Sequence, residues 1–334
     1  MKKILYLICS LLLISTLSSC NQKDPENNTT TLTLAHSLSQ DHPVHIALEE
    51  FAKEVEEKTD GRYKVKIFPN GQLGSENESM EQILAGVLSM ARIASPGLAT
   101  YERGYDTFGL PYIFESTEDY YHIMDSDEIR EFFMSSEDKG FLTLTYYDSG
   151  SRSFYTKNKA IRTPEDLKGL KIRVQDMKSQ TEMVNLLGGT PVAMGYGDVY
   201  TSLQTGIIDG TENNETALTI GGHGEIAKVY SKDEHAMIPD ALVISSEVWE
   251  KMDPTDQQII MEAARNSTEL HKKLWAESIK EAREIAEKDL GVEFVDDIDK
   301  EPFIEKTKPL VEQYRNEYKE VDELLKTIEK VRSK

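Results

Sequence analysis

Cysteine is nearly absent from this chain of 334 residues, which contains only Cys9 and Cys20. Cys9 lies in an apolar leader, so the mature chain keeps a single cysteine. One cysteine cannot form an internal disulfide, and the fold must therefore depend on its hydrophobic core. The same count excludes cysteine-based zinc sites and thioester or redox catalysis by cysteine.

Basic residues are also scarce, since 38 lysines and arginines face 59 aspartates and glutamates, and the formal net charge is -21. Nucleic acids and acidic membrane surfaces both bind to basic faces, so neither is expected as a partner. A small anion would bind only where local arginines overcome this repulsive overall field.

The sequence has one long apolar run, which extends from Ile4 to Leu17 and is short for a transmembrane helix. It follows Met1-Lys2-Lys3 and ends in Leu-Ser-Ser-Cys, a pattern typical of a secretory signal. Because this end resembles a bacterial lipobox, we expect residues 1–19 to be a lipoprotein signal peptide and Cys20 to be lipidated. Residues 20–30 would form a polar tether. An ordinary signal peptide cleaved nearby is the alternative.

The apolar periodicity that follows predicts an α/β protein, in which strands and helices alternate. Strands are predicted at 31–35, 63–67 and 141–147, and helices at 42–59 and, as a pair, within 116–140. Ser75, with Glu78 three residues later, predicts a capping box at the start of a further helix. A helical pattern at 254–290 would be more than about 50 Å long, longer than one lobe is wide. Its apolar spacing is too irregular for a coiled coil. One last amphipathic helix is predicted at 303–331.

Two arginines and an asparagine pair lie between residues 150 and 214 and suggest an anion site. Arg152 follows a Gly-Ser turn, and Arg173 alternates with Leu170, Ile172 and Val174 on a predicted strand. A guanidinium presents paired N–H donors that match a carboxylate, so this stretch favours binding of a small carboxylate. Salt bridges that lock two lobes together are the alternative role for these arginines.

The sequence patterns for metal binding, dinucleotide binding and sugar hydrolysis are weaker than the pattern for anion binding. His45 and Glu49 lie one helical turn apart, a metal-like spacing, but without the H-E-x-x-H motif. Gly222-His-Gly224-Glu-Ile-Ala227 matches a dinucleotide fingerprint, but no clean buried strand precedes it. Hydrolysis of sugars would need two paired carboxylates, and nothing in the sequence pairs the candidates, which are Glu76, Glu78, Glu212 and Asp240.

Four segments, in order, resemble the solute-binding subunits of tripartite ATP-independent periplasmic (TRAP) transporters: FPNGQLGSENE, GSRSFYT, TPEDLKGLKIRV and YTSLQTGIIDGTEN. The resemblance covers nearly all of the chain after the leader. It implies a periplasmic-binding-protein type II-like α/β fold, with two lobes around a ligand cleft and a long helix bracing both. Lobe one would comprise 31–150 plus about 240–278, and lobe two 151–239 plus about 279–334.

The resemblance also implies roles for individual residues. Arg173 would be the carboxylate clamp, Arg152 a second anion contact, and Asn213 a hydrogen-bond partner of the same end of the ligand. Tyr196 matches a position where an aromatic ring packs on the ligand. The remaining expected ligand contacts are Asn214, His36, Glu76, Ser95 and Asp240.

Two departures from the family pattern concern the ligand. The family usually has Glu-Asn-Pro where this chain has Glu212-Asn213-Asn214, and Ser-Glu where it has Gly197-Asp198. The first, together with HGEIAKVYSKDEH, resembles the sugar-acid (uronate) branch. The implied function is capture of a sugar acid for a sodium-coupled membrane partner, by an exported, lipid-anchored monomer without cofactor or catalysis. C4-dicarboxylate or sialic-acid binding, and more remotely a carbohydrate-acting enzyme, are the alternatives.

Overall fold

The structure is a computed structural model that describes residues 29–334. The predicted signal peptide, the predicted lipidation site at Cys20 and nearly all of the predicted tether lie outside the described residues. Within residues 29–334, the chain forms two mixed β-sheets with helices on their faces, as the periodicity predicts. No helix in this part is both long and apolar enough to cross a membrane.

The first sheet has the strand order β2-β1-β3-β10-β4. Its strands are β1 (Thr30–Ala35), β2 (Tyr63–Phe68), β3 (Met90–Ala94), β4 (Phe141–Tyr147) and β10 (Asp240–Ser245). Strand β1 is parallel to β2 and β3, whereas β10 is antiparallel to β3 and β4. The associated helices are α1 (Pro43–Lys58), α2 (Glu76–Leu84), α3 (Thr117–Met124), α4 (Asp127–Met134) and α8 (Ser246–Glu250).

The second sheet has the order β11-β9-β5-β8-β6-β7. Its strands are β5 (Ser151–Thr156), β6 (Lys171–Val174), β7 (Thr190–Ala193), β8 (Gly210–Asn213), β9 (Val229–Met237) and β11 (Glu293–Val295). Strand β6 is parallel to β7 and β8, and β5 is antiparallel to β8 and β9. The helices between these strands are α5 (Lys178–Leu187), α6 (Val199–Thr205) and α7 (Thr216–Thr219).

The chain passes between the two sheets through two short connections that lie side by side. One joins Tyr147 at the end of β4 to Ser151 at the start of β5, and the other joins Met237 to Asp240. Ser151 pairs with Met237 in the second sheet, and Tyr147 pairs with Asp240 in the first. Adjacent short connections of this kind give two lobes a common hinge.

Side-chain alternation places an apolar core on each face of the first sheet. Leu242 and Ile244 of β10 pack with helix α1 on one face, whereas Ala241 and Val243 pack with helices α2, α3 and α4 on the other. This period of two is the pattern expected of a strand buried on both faces. The predicted capping box is confirmed as well, because Ser75 caps helix α2 and Glu78 bonds back to the Ser75 backbone N–H at 2.7 Å.

The predicted long helix is confirmed as α9 (Pro254–Lys288), with 35 residues. It packs on helix α1, strand β4 and, further along, helix α7. Thr268 Oγ1 donates a hydrogen bond to the Tyr146 carbonyl at 2.8 Å, and Ser267 Oγ lies 2.8 Å from the Tyr147 hydroxyl. The helix therefore contacts elements that associate with each of the two sheets.

The prediction of one helix at 303–331 is wrong, because the chain forms α10 (Glu301–Glu317) and α11 (Lys319–Arg332). They are separated at Tyr318, whose backbone is extended (φ -123°, ψ 113°). Phe303, Leu310 and Tyr314 of α10 pack in a core of the second sheet, whereas Leu324, Ile328 and Val331 of α11 pack in a core of the first. The break lets the apolar faces of the two helices reach both cores. The division of the chain into lobes stays a prediction.

Candidate functional site

A cavity of about 520 Å³ lies between the two sheets and continues into a narrow recess of about 40 Å³. Five residues line both parts: Ser37, Glu76, Arg173, Gln175 and Tyr196. Ser37 follows strand β1 and Glu76 begins helix α2, while Arg173 and Gln175 lie at the end of strand β6. The walls therefore come from both halves of the molecule.

Arg173 is a buried cation whose charge is not neutralised by an ion pair within residues 29–334. Its neighbours along strand β6, Ile172 and Val174, are fully buried, and 2% of Arg173 itself is exposed. The Nε and Nη2 atoms donate to the Met194 carbonyl at 3.1 and 2.8 Å. These bonds use two of the five guanidinium N–H groups. Burial lowers the pKa of Arg173 from its ordinary value, with Glu212 opposing this effect and Arg152 adding to it.

Arg152, in contrast, uses nearly all of its N–H groups in hydrogen bonds to Glu212 and Asn213. Its Nε and Nη2 bind the two carboxylate oxygens of Glu212 at 2.5 and 2.9 Å, Nη2 also donates to the Glu212 carbonyl at 2.9 Å, and Nη1 donates to Asn213. Four of its five N–H groups are thus used, and one on Nη1 remains for a ligand. Arg152 lines the recess.

The asparagine pair is divided between two tasks. The Asn213 Oδ1 atom accepts hydrogen bonds from Arg152 and from the backbone N–H of Asn214, each at 2.9 Å. Its Nδ2 group makes no hydrogen bond within residues 29–334, so it is a free donor at the recess. The Oδ1 atom of Asn214 accepts hydrogen bonds from the N–H and the hydroxyl of Thr216 at 3.0 and 2.7 Å. The Nδ2 group of Asn214 donates to the Ser149 carbonyl at 2.8 Å.

Glu76 and Asp240 meet at a third buried arginine, Arg92, which the sequence analysis missed. Nη1 of Arg92 binds Glu76, and Nη2 binds Asp240. Ser37 donates to Glu76 at 2.9 Å and Ser149 to Asp240 at 3.2 Å. All three members of this cluster line the recess. The signal for Arg92 was present, since it is the one charged residue in the otherwise apolar strand β3.

Of the other predicted ligand contacts, Tyr196 lines the cavity, whereas His36 and Ser95 do not. Tyr196 lines the cavity and packs against the core of the first sheet, although it precedes helix α6 of the second. His36 is buried and lines neither the cavity nor the recess, and its Nε2 is 2.9 Å from His45 Nδ1. Burial, with smaller effects of His45 and Arg92, lowers the pKa of His36 to about 3. Ser95 is fully buried, and its Oγ has no hydrogen-bond partner in the described part of the chain.

A chain of alternating charges supports Arg152 from behind. Glu212 lies 3.5 Å from His235 Nε2, and His235 Nδ1 lies 2.8 Å from Asp233. Burial alone would raise the pKa of Glu212, but Arg152 and His235 lower it to about 2. Burial alone would lower the pKa of His235, but Asp233 and Glu212 raise it to about 9. Glu212 and His235 are therefore both charged at neutral pH, and the contacts of Glu212 fix the position of Arg152.

The dinucleotide-like and metal-like motifs have other arrangements in the part of the chain that the structure describes. The dinucleotide-like stretch that begins at Gly222 forms a short 3-10 helix (His223–Glu225) ahead of strand β9, so no strand leads into a phosphate-binding helix. His45 and Glu49 lie 3.4 Å apart. Among residues 29–334, no group of three or more metal-ligating side chains could hold a metal ion.

The chain is similar to known proteins over most of its length. A protein of Salmonella typhimurium, YiiZ, is 41% identical over 310 residues, which are 92% of this chain and 93% of that protein. A TRAP periplasmic solute-binding protein of Anaerococcus prevotii, solved with α/β-D-glucuronate, is 37% identical with a TM-score of 0.87, and the match covers 91% of this chain and 98% of that one. Another, of Xanthobacter autotrophicus with β-D-galacturonate, is 36% identical with a TM-score of 0.85, over 90% and 99% of the two chains.

These structures confirm the predicted two-lobe, type II-like α/β fold. The family model described as bacterial extracellular solute-binding protein, family 7, matches residues 34–317. The match spans most of the chain and includes the cavity and nearly all of both sheets. This chain therefore belongs to family 7 of the bacterial extracellular solute-binding proteins.

Proposed function

We propose that this protein captures a hexuronate outside the cytoplasmic membrane and delivers it to the membrane subunits of a TRAP transporter. The observation that carries the proposal is the Arg173 guanidinium, which is buried and faces the cavity without a carboxylate partner within residues 29–334. Burying a cation costs free energy unless the cation is paired with an anion, so we expect the ligand of this site to be an anion. The similar proteins solved with glucuronate and galacturonate indicate which anion.

A uronate matches the donors and acceptors that line the site. Its carboxylate would accept N–H groups from Arg173, the free Nδ2 of Asn213 and the remaining N–H of Arg152. The Tyr196 ring would pack on the sugar, and Glu76 and Asp240 would accept hydrogen bonds from its hydroxyls. Binding would favour the closed arrangement of the two lobes, because only that arrangement lets both halves contact the ligand.

The proposed role is binding of the ligand without catalysis of any reaction on it. A capture protein returns its ligand unchanged, so prolonged incubation with D-glucuronate should leave the sugar acid intact by mass spectrometry. Any protein-dependent product would instead support a carbohydrate-acting enzyme.

The anchor is proposed to be a lipid on Cys20, which holds a monomer at the membrane. A Cys20→Ala variant should then appear as released protein or as uncleaved precursor. Unchanged membrane fractionation and unchanged mature mass would contradict the anchor without affecting the ligand.

Matched sugars provide the test of the ligand. D-Glucuronate and D-galacturonate differ from D-glucose and D-galactose mainly at C6, where a carboxylate replaces a hydroxymethyl group. Calorimetry and thermal shift should show binding of at least one uronate and of neither neutral sugar, because a ligand that binds only the native state raises its melting temperature. Binding of succinate or N-acetylneuraminate in preference to both uronates would overturn the proposal in favour of the corresponding alternative.

A further inference from the structure

The charged residues that line the recess differ between the two sheets. The second sheet contributes Arg173, whose positive charge has no ion-pair partner within residues 29–334. The first sheet and its helices contribute a single arginine, Arg92, which is shared by the carboxylates of Glu76 and Asp240, so that this cluster carries a net negative formal charge. Arg152 does not alter this difference, because Glu212 already neutralises it.

The acidic cluster is rigidly held and faces the cavity. Arg92 and Asp240 are 6% and 1% exposed, and both line the recess. The backbone N–H of Ala94 donates to the second oxygen of Glu76 at 2.9 Å, which fixes that carboxylate. The Nε atom of Arg92 is buried and has no hydrogen-bond partner within residues 29–334, so the cluster still has an unused donor in this part of the chain. Lone pairs of the two carboxylates that do not bind protein donors are available to ligand hydroxyls.

We propose that the Arg92–Glu76–Asp240 cluster selects ligands with one carboxylate and a hydroxylated far end, and rejects diacids. This inference rests on the proposed function and concerns the specificity of the same site. Sugar hydroxyls can donate to Glu76 and Asp240, whereas a second ligand carboxylate would face two like charges at a site with little water to screen them. Like charges in such a site oppose binding strongly.

The test uses two acids that differ only at one end. D-Galactonate and D-galactarate share an open six-carbon skeleton, but the first ends in a hydroxymethyl group and the second in another carboxylate. Each is titrated against wild-type protein, directly and by displacement of bound D-galacturonate. We expect galactarate to bind at least about tenfold more weakly than galactonate.

Two isosteric variants then locate the cause. Asp240→Asn and Glu76→Gln each remove one negative charge while keeping the shape, and each should raise galactarate affinity relative to galactonate by at least about tenfold. Glu76 is the more exposed of the two, with 25% of its side chain accessible, so its variant is the safer one for folding. Asp106→Asn is the matched control, because Asp106 is also a buried acid paired with an arginine but does not line the cavity.

The outcomes separate the two proposals. Wild-type protein that binds galactarate as well as galactonate would overturn this inference, and so would folded variants whose relative preference for the two acids matches that of wild type. Either result would leave uronate binding intact. Failure of wild-type protein to bind any uronate would overturn the proposed function itself.

Discussion

Asn213 Oδ1 accepts a hydrogen bond from Arg152 Nη1 at 2.9 Å, so two of the predicted anion contacts are bound to each other. Because that oxygen also accepts the Asn214 N–H, the amide can present only its NH₂ group to the recess. The asparagine is thereby fixed as a donor before any ligand arrives. Preorganised donors of this kind reduce the entropic cost of binding.

Arg173 should be the most sensitive position for ligand binding. Truncating one partner of a buried charged pair typically costs about 2–5 kcal/mol. This corresponds to roughly 30-fold to several-thousand-fold in dissociation constant. Calorimetry with the preferred uronate should therefore show no detectable binding by Arg173→Ala, and at least about tenfold weaker binding by Arg173→Lys, which keeps the charge but loses the fork.

The control for this experiment is Arg162→Lys, since Arg162 is half-exposed and pairs with Asp297 at 2.9 Å, away from the cavity. It should bind like wild type. If Arg173→Lys also binds within about twofold of wild type, the bidentate clamp is wrong and Arg173 has a structural role.

Arg152 should matter more for stability than Arg173 does. Removing Arg152 leaves Glu212 buried with only His235 beside it, and breaking such a buried pair costs about 3–5 kcal/mol. Urea unfolding of ligand-free protein should show this loss for Arg152→Ala and a clearly smaller one for Arg173→Ala, which leaves no carboxylate unpaired. Equal losses would contradict the assigned pairing. Folded Arg152→Ala should also lose less ligand affinity than Arg173→Ala.

The stability of the protein should fall between pH 7 and pH 9 because of His235. Its pKa of about 9 in the folded chain lies above its ordinary value of 6.5. The stabilisation is therefore fully present below pH 6.5 and is lost as the pH rises through 9, by up to about 1.4 kcal/mol per pH unit. Urea unfolding across this range should show the slope for wild type and a smaller one for His235→Asn.

His223→Asn is the matched control for this pH dependence. Burial lowers the pKa of His223 to about 3, so this histidine is neutral in both folded and unfolded chains above pH 7.5. Its variant should keep the wild-type slope even if it is less stable. An unchanged slope for His235→Asn would show that the histidine is not protonated in the folded protein.

Gly150, in the first of the two connections between the sheets, should not tolerate a side chain. Its φ is +66°, and an added Cβ would lie 3.2 Å from the Trp275 ring and 3.4 Å from Asn214 Cβ. Gly188 has a similar left-handed backbone (φ +97°), and no atom of residues 29–334 lies within 4 Å of such a Cβ. Both Ala variants should lose about 1 kcal/mol or more from backbone strain, and Gly150→Ala should lose more because of the contacts. Equal losses in urea unfolding would exclude a contribution from Trp275.

Local pattern was sufficient for most elements and for part of the site. The strand that carries Arg173, the helix capped by Ser75 and the long helix all follow from periodicity and capping residues. The pairing of Arg152 with Glu212 and of Arg92 with Asp240 could not be predicted, because each joins residues far apart in sequence whose partners are set by sheet order. The break at Tyr318 was missed for a similar reason, since helical periodicity continues on both sides of it.

Helix α9 limits how the two halves can move apart. Its 35 residues extend about 52 Å and contain no glycine, and their only proline is the first residue. Bending cannot concentrate at one weak point, because sharp kinks almost always require such a residue or a local defect. Opening must therefore either spread as gentle curvature along the helix or detach one end from its neighbours. The helix therefore resists bending elastically. The free energy of this resistance contributes to the binding free energy of every ligand that the cleft encloses.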